Sequence, residues 1–224
     1  MVTKQQYIMN YIQLALIFMF LALLYPSNLD SGTNAENNIS EYRVEPGDNL
    51  WNIAKYNNST VEHIKILNNL NTDIIFPGLI INIPNQDYIN IMNLELKWDE
   101  AVNARRESDF MKSITIFKSL IDNKINKDLS SKSQFQIADI YLNDINNYTF
   151  AIRHFQKVLD KYPDSDEKKK SLFMLGYIFS NYVESYSEAI SHYNMFLNLY
   201  PEDELSHSVK YELDLLDSLG IPQR

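Results

Sequence analysis

A repeat with a step of 38 residues constrains this 224-residue chain more than any other feature. Residues 148–163 read YTFAIRHFQKVLDKYP, and residues 186–201 read YSEAISHYNMFLNLYP. One step earlier, residues 110–125 read FMKSITIFKSLIDNKI. Phe110, Tyr148 and Tyr186 correspond, as do Ile114, Ile152 and Ile190, and Phe117, Phe155 and Tyr193. Ser113, Ala151 and Ala189 keep a small side chain where two helices must approach closely. A partner helix precedes each stretch, marked by Trp98, Ala101 and Ala104, by Phe135, Ala138 and Tyr141, and by Phe173, Gly176 and Phe179. Tyr162-Pro163 and Tyr200-Pro201 end the second helix of a pair, because a residue before proline is driven out of the helical region. Hairpins with this spacing bury their apolar faces only on one another, so they stack. Residues 88–224 are expected to form an α-solenoid of about three helical hairpins, with Leu205–Leu219 as a capping helix ended by Gly220 and Pro222.

The aromatic–small–aromatic pattern resembles the tetratricopeptide repeat. Its longer period resembles the repeats of bacterial periplasmic proteins, such as the Tol–Pal coordinator and an outer-membrane assembly lipoprotein. The extra residues follow the Tyr-Pro pairs, in Pro163-Asp164-Ser165-Asp166 and Pro201-Glu202-Asp203-Glu204. The first pair departs furthest, with Lys124-Ile125 in place of Tyr-Pro. The resemblance implies binding of an envelope protein partner. Most of the aromatic residues are then core, and Asn143, Asn146, Asn147 and Asn181 serve hairpin turns.

At the other end, residues 7–25, YIMNYIQLALIFMFLALLY, carry no charge. Nineteen helical residues reach about 28 Å, close to the hydrocarbon thickness of a bilayer. Pro26 ends the segment; Lys4 precedes it, and Asp30 and Glu36 follow it. The positive-inside rule then places the bulk of the chain outside the cytoplasm. No small-x-small site directly follows Tyr25, so residues 1–25 are expected to be an uncleaved signal anchor; a cleaved signal peptide and a soluble periplasmic protein are the alternative. Residues 26–40, PSNLDSGTNAENNIS, are a flexible linker.

Residues 41–84 read strand–helix–helix–strand. Tyr42 and Val44 alternate with polar neighbours. Pro46-Gly47-Asp48 signals a turn, and Asp48 or Asn49 can cap a helix with Leu50, Ile53 and Ala54 inward. Ser59 or Thr60 caps a second helix with Val61, Ile64 and Leu67 inward, ended by Asn68-Asn69. Phe76-Pro77-Gly78 turns the chain into a last strand through Ile81 and Ile83. This small α+β (βααβ) module resembles the LysM domain along its whole length. Its opening motif is met by Tyr42, Val44, Gly47, Asp48 and Leu50, and its helical Ile-Ala by Ile53-Ala54. Its Leu-x-x-x-Asn pattern falls at Ile64 to Asn68, and its closing run at Ile75, Pro77, Gly78, Ile81, Ile83 and Pro84. The resemblance implies binding of peptidoglycan or another N-acetylglucosamine glycan between two loops. These are Gly47, Asp48, Asn49 and Leu50, and the stretch from Asn71 to Phe76, including Asp73, Ile74 and Ile75. Leu50, Ile74 and Ile75 are expected to supply apolar contact, and backbone N–H groups at the helix start to meet N-acetyl oxygens. Leu79 and Ile80 are expected to pack against the helices that follow. Trp51 reads as a packed or half-exposed ring and Lys168-Lys169-Lys170 as a solvated helix start.

Catalytic signals are missing from the sequence. There is no cysteine, which excludes disulfides, thiolate sites and lipid attachment through cysteine. The four histidines match no metal-site spacing, and His154 and His192 are repeat equivalents explained by packing. A net charge of −9 disfavours nucleic acid. The expectation is a mainly α, non-enzymatic, membrane-tethered adaptor of the bacterial envelope without metal or cofactor. It binds glycan through the first module and protein through the repeats. The alternative is a soluble periplasmic scaffold of outer-membrane assembly or division machinery in which the LysM-like module contacts protein.

Overall fold

The computed structural model describes residues 38–122 and 126–221. The expected membrane segment lies outside the described residues, and no helix among these is long and apolar enough to cross a membrane. The chain divides into two compact units, Met1–Tyr88 and Ile89–Arg224.

In the first unit, β1 (Ile39–Arg43) pairs antiparallel with β2 (Ile80–Pro84), and α1 (Leu50–Tyr56) and α2 (Val61–Asn68) lie between them in sequence. The order is the expected strand–helix–helix–strand. β1 begins at Ile39, inside the stretch read as linker. Val44, Leu50, Ile53, Ala54, Ile64, Ile81 and Ile83 form the core, with Tyr42, Val61, Leu70 and Ile75 packed on it. Thr60 caps α2 by accepting from the His63 N–H at 3.1 Å. Asn69 ends α2 in the left-handed region, φ 54°.

In the second unit the period of the sequence becomes the period of the helices. α3 (Gln86–Arg106), which starts in the first unit, pairs with α4 (Phe110–Ile121). α5 (Lys127–Asp139) continues into a π-turn at Ile140–Asp144 and pairs with α6 (Tyr148–Lys161). α7 (Asp166–Ile178), with a π-turn at Phe179–Val183, pairs with α8 (Tyr186–Leu199); α9 (Leu205–Ser218) follows. α4, α6 and α8 start at the three repeat-equivalent aromatics, 38 residues apart. Their N-cap residues are Asp109, Asn147 and Ser185, also 38 apart. Tyr162 and Tyr200 are the C-caps before the two prolines. Gly220 takes φ 75° after α9, and the Ile221 N–H bonds the Leu216 carbonyl at 3.1 Å, a left-handed helix stop.

A repeat-equivalent aromatic contact joins the two helices of each hairpin. Trp98 meets Phe117 at 5.1 Å, Phe135 meets Phe155 at 5.2 Å, and Phe173 meets Tyr193 at 6.2 Å between ring centroids. Ser113, Ala151 and Ala189 are fully buried one turn earlier. Ser113 also donates to the Ala101 carbonyl at 2.8 Å, which a larger side chain would prevent. Gly176 is needed for a related reason. A Cβ there would lie 2.5 Å from a carbon of the Tyr193 ring, whereas its repeat equivalent is Ala138. The histidines repeat as well: His154 stacks on Tyr141 and His192 on Phe179, each at 5.5 Å.

Polar ties cross between successive pairs, and the sequence did not announce them. Arg105 of α3 donates to Asp139 at 2.6 Å, to Asp144 at 2.7 Å and to Gln136 at 3.0 Å. Ser131 donates to the buried Glu167 carboxylate at 2.9 Å, joining α5 to α7. Lys169 pairs with Asp203 at 2.8 Å, fixing α7 to the turn before α9. The lysine run is therefore not simply a solvated helix start. The asparagines do serve turns: Asn147 caps α6, Asn146 takes φ 57°, Asn143 donates to Asp139 and Asn181 to the Tyr177 carbonyl.

Two tests follow from this packing. Gly176→Ala adds a methyl against a buried ring, an overpacking cost of about 1–3 kcal/mol. That exceeds the ~1 kcal/mol gained in helix propensity, so the melting temperature should fall; an unchanged or higher value contradicts the crossing. Glu212 of α9 is 7% exposed. Burial pushes its carboxyl up to about 7, although the Tyr193 phenol and the Asn181 amide favour the charged form. Its contribution to stability is complete below the ordinary value near 4.5 and is lost as pH rises through about 7. Burial lowers His154 to about 4, so its contribution runs the other way, complete above 6.5 and lost as pH falls toward 4. The difference between the unaltered chain and Glu212→Gln, followed by helical circular dichroism from pH 5 to about 8, isolates the carboxyl. It should change by on the order of 3 kcal/mol across that range. A difference independent of pH contradicts the buried acid.

Candidate functional site

The candidate site is built from two Pro-Gly turns set side by side. In the first, the Asp48 N–H bonds the Glu45 carbonyl at 3.2 Å around Pro46-Gly47, with Gly47 at φ 96°. In the second, the Leu79 N–H bonds the Phe76 carbonyl at 3.1 Å around Pro77-Gly78, with Gly78 at φ 92°. A turn with proline second and a positive φ third is why each carries this dipeptide. The strand pairing extends past Arg43–Ile80 to join them. The Val44 N–H bonds the Leu79 carbonyl and the Gly78 N–H bonds the Val44 carbonyl, both at 2.8 Å. The two expected loops thus leave the same end of the sheet.

Within the first loop each residue has its own task, and of the two cap candidates the structure uses the second. Asn49 is the cap of α1, its Oδ1 accepting from the Asn52 N–H at 2.9 Å. Asp48 closes the turn instead: Oδ2 accepts from the Tyr42 hydroxyl and from the Glu45 N–H, both at 2.8 Å. The hydrogen bond to this carboxylate raises the Tyr42 pKa above its ordinary value. Leu50 is 1% exposed and belongs to the core. Its side chain therefore cannot supply the apolar contact expected of it, because the first apolar residue of α1 is needed to anchor the helix to the sheet. What remains for a ligand at this position is backbone.

The second loop supplies the exposed apolar surface. Ile74 and Phe76 are 67% and 69% exposed, whereas Ile75 points back onto the core. Alternation along an extended segment explains the pattern. Leu79 and Ile80 are exposed. Asn71 is exposed, and Asp73 pairs with Lys65 of α2 at 2.7 Å. The hydrogen bond to Asp73 raises the Lys65 pKa. Trp51 is exposed, with the Lys55 ammonium 4.8 Å from its ring centroid.

Sequence reasoning missed the residue that holds this loop in place. Asn68 ends α2, but its side chain also stitches α2 to β2. Nδ2 donates to the Ile64 and Asn82 carbonyls at 2.8 Å, and Oδ1 accepts from the Asn82 N–H at 2.7 Å. The signal was the asparagine at the close of the Ile64-to-Asn68 pattern, read only as a helix stop. Among the described residues no three His, Asp or Glu side chains are grouped to hold a metal ion.

Comparison with known proteins agrees with both units. The LysM domain model matches residues 42–84, and a tetratricopeptide repeat model matches residues 132–165. The latter runs from within α5 through α6 to the turn after Tyr162-Pro163. A probable autolysin of Staphylococcus aureus is 37% identical over 54 residues, 24% of this chain and 20% of its own length. An N-acetylmuramoyl-L-alanine amidase of Staphylococcus haemolyticus is 46% identical over 52 residues, 23% of this chain and 16% of its own. An uncharacterized protein of Bacillus subtilis is 50% identical over 42 residues, 19% of this chain and 56% of its own. The chain thus spans a fifth or less of the two staphylococcal proteins and about half of the Bacillus protein. With the βααβ order, the twin Pro-Gly turns and the repeated hairpin contacts, residues 42–84 are a LysM domain, and residues 132–165 are a tetratricopeptide repeat within a longer helical array.

Proposed function

We propose that this chain is a non-enzymatic adaptor of the bacterial cell envelope, in which the LysM domain holds peptidoglycan and the helical repeats hold a protein partner. The twin-turn face carries the first half of this reading. It offers two exposed apolar side chains, Ile74 and Phe76, beside the polar groups of Asn49 and Asn71. Apolar contact with a few placed polar groups suits a neutral N-acetylated sugar. The amidase and autolysin named above, which match over a LysM-sized stretch, support a cell-wall glycan. In this reading Gly47 and Asp48 shape the first turn, Asn49, Asn71 and Asp73 offer polar contact, Ile74 offers apolar contact, and Leu50 and Ile75 hold the face from behind. The repeats support the second half, because tetratricopeptide arrays serve protein interaction.

Residues 7–25 tether the adaptor to the inner membrane, with the bulk in the periplasm. Their length and lack of charge support this, with the single basic residue on one side.

Two measurements test the reading. Full chain carrying Ile74→Asp and Phe76→Asp should keep its circular dichroism, since both side chains are exposed. It should bind purified peptidoglycan about tenfold more weakly in co-sedimentation. Undiminished binding removes the turn face from the proposal. For the tether, membranes washed with alkaline carbonate should retain the chain. Its release into the soluble periplasm as a shortened protein replaces the anchor by a cleaved signal.

A further inference from the structure

The ladder of the LysM domain has two ends. The twin turns occupy the end where Arg43 faces Ile80; at the other, Ile39 faces Pro84, roughly 13 Å away along the strand. That far end carries a cleft of about 440 Å³. Tyr56, Asn57 and Asn58, at the end of α1 and just beyond it, face Asn38 and Ser40 at the start of β1 and Asn85 after β2. None of the described residues lining the cleft is charged.

The amides are held in place. Asn57 donates through Nδ2 to the Ile53 carbonyl at 2.7 Å. Asn85 donates through Nδ2 to Asn38 Oδ1 at 3.2 Å and accepts from the Tyr88 N–H at 2.9 Å. Asn58 sits at φ 49°, which fixes the corner after α1. Tyr56 is 85% exposed, so its ring contributes little to the core. A rigid, uncharged rim of amides presents donors and acceptors together. An exposed aromatic face beside it complements the C–H face of a pyranose. Among the described residues no cation lines the cleft to meet a phosphate or a carboxylate.

We propose that this cleft is a second saccharide site, taking an uncharged N-acetylated sugar at the end of the domain opposite the twin turns. The choice of sugar rests on the glycan reading above; the site itself rests on the cleft. The test is a titration of the full chain with the N-acetylglucosamine tetramer, followed by nuclear magnetic resonance. The side-chain amides of Asn57, Asn58 and Asn85 report on the cleft, and the backbone amides of Ile74 and Phe76 on the turns. Both groups should shift. Tyr56→Ala should weaken the response of the first group about tenfold and leave the second unchanged. The Ile74→Asp, Phe76→Asp chain should show the converse. Cleft signals that stay still while the turn signals saturate overturn the second site and leave the glycan reading standing. Cleft signals that move alone support the second site and overturn the turn face. Silence in both groups overturns both.

Discussion

The close crossing of two helices inside each hairpin is the contact on which the helical unit depends. A small residue, Ser113, Ala151 or Ala189, lets the helices approach, and the aromatic one turn later fills the space against an aromatic of the partner. Core packing at crystal-like density leaves little tolerance in such a place. The third pair shows the coupling: where the ring is Tyr193, the facing residue is Gly176, and no Cβ fits between them. The position of one ring therefore limits the residue across from it.

Between pairs the economy is different. Arg105 with Asp139 and Asp144, Ser131 with Glu167, and Lys169 with Asp203 tie neighbours through charged or polar groups. Burial pushes the Asp139 carboxyl up, and the Arg105 charge opposes that shift. Groups of this kind add less net stability than apolar packing, but they tolerate no missing partner. They fix which hairpin face meets which. Aromatic packing crosses the same boundary, where Tyr148 of α6 stacks on Tyr182 after α7 at 4.3 Å.

The LysM domain solves another problem with few residues. Its sheet has only two strands, so the ends of the ladder decide what it presents. At one end the two Pro-Gly turns are locked through Val44 and Asp48; at the other, Asn57 and Asn85 hold an amide-lined cleft. Asp48 and Leu50 belong to the motif because the fold needs them, as turn closure and as core. The residues that project outward, Ile74, Phe76 and Tyr56, lie outside the positions that define the domain's outline.

The sequence by itself determined the elements. The 38-residue period placed the starts of α4, α6 and α8, because helix caps and aromatic spacing are local and repeat with the chain. The LysM-type motif placed β1, α1, α2 and β2, because turn and cap residues act within a few positions of themselves. Tertiary structure decided between the roles that the local patterns left open. Leu50 read both as an inward residue of α1 and as a contact residue until packing placed it in the core, Ile75 read as a contact residue until it packed on that core, and Asn68 read as a helix stop until β2 arrived 14 residues later to use its amide. Likewise Arg105 found its acids 34 and 39 residues away, a pairing that no local pattern encodes. Local propensity fixes where the chain turns; only the packed neighbours fix what each side chain is left to do.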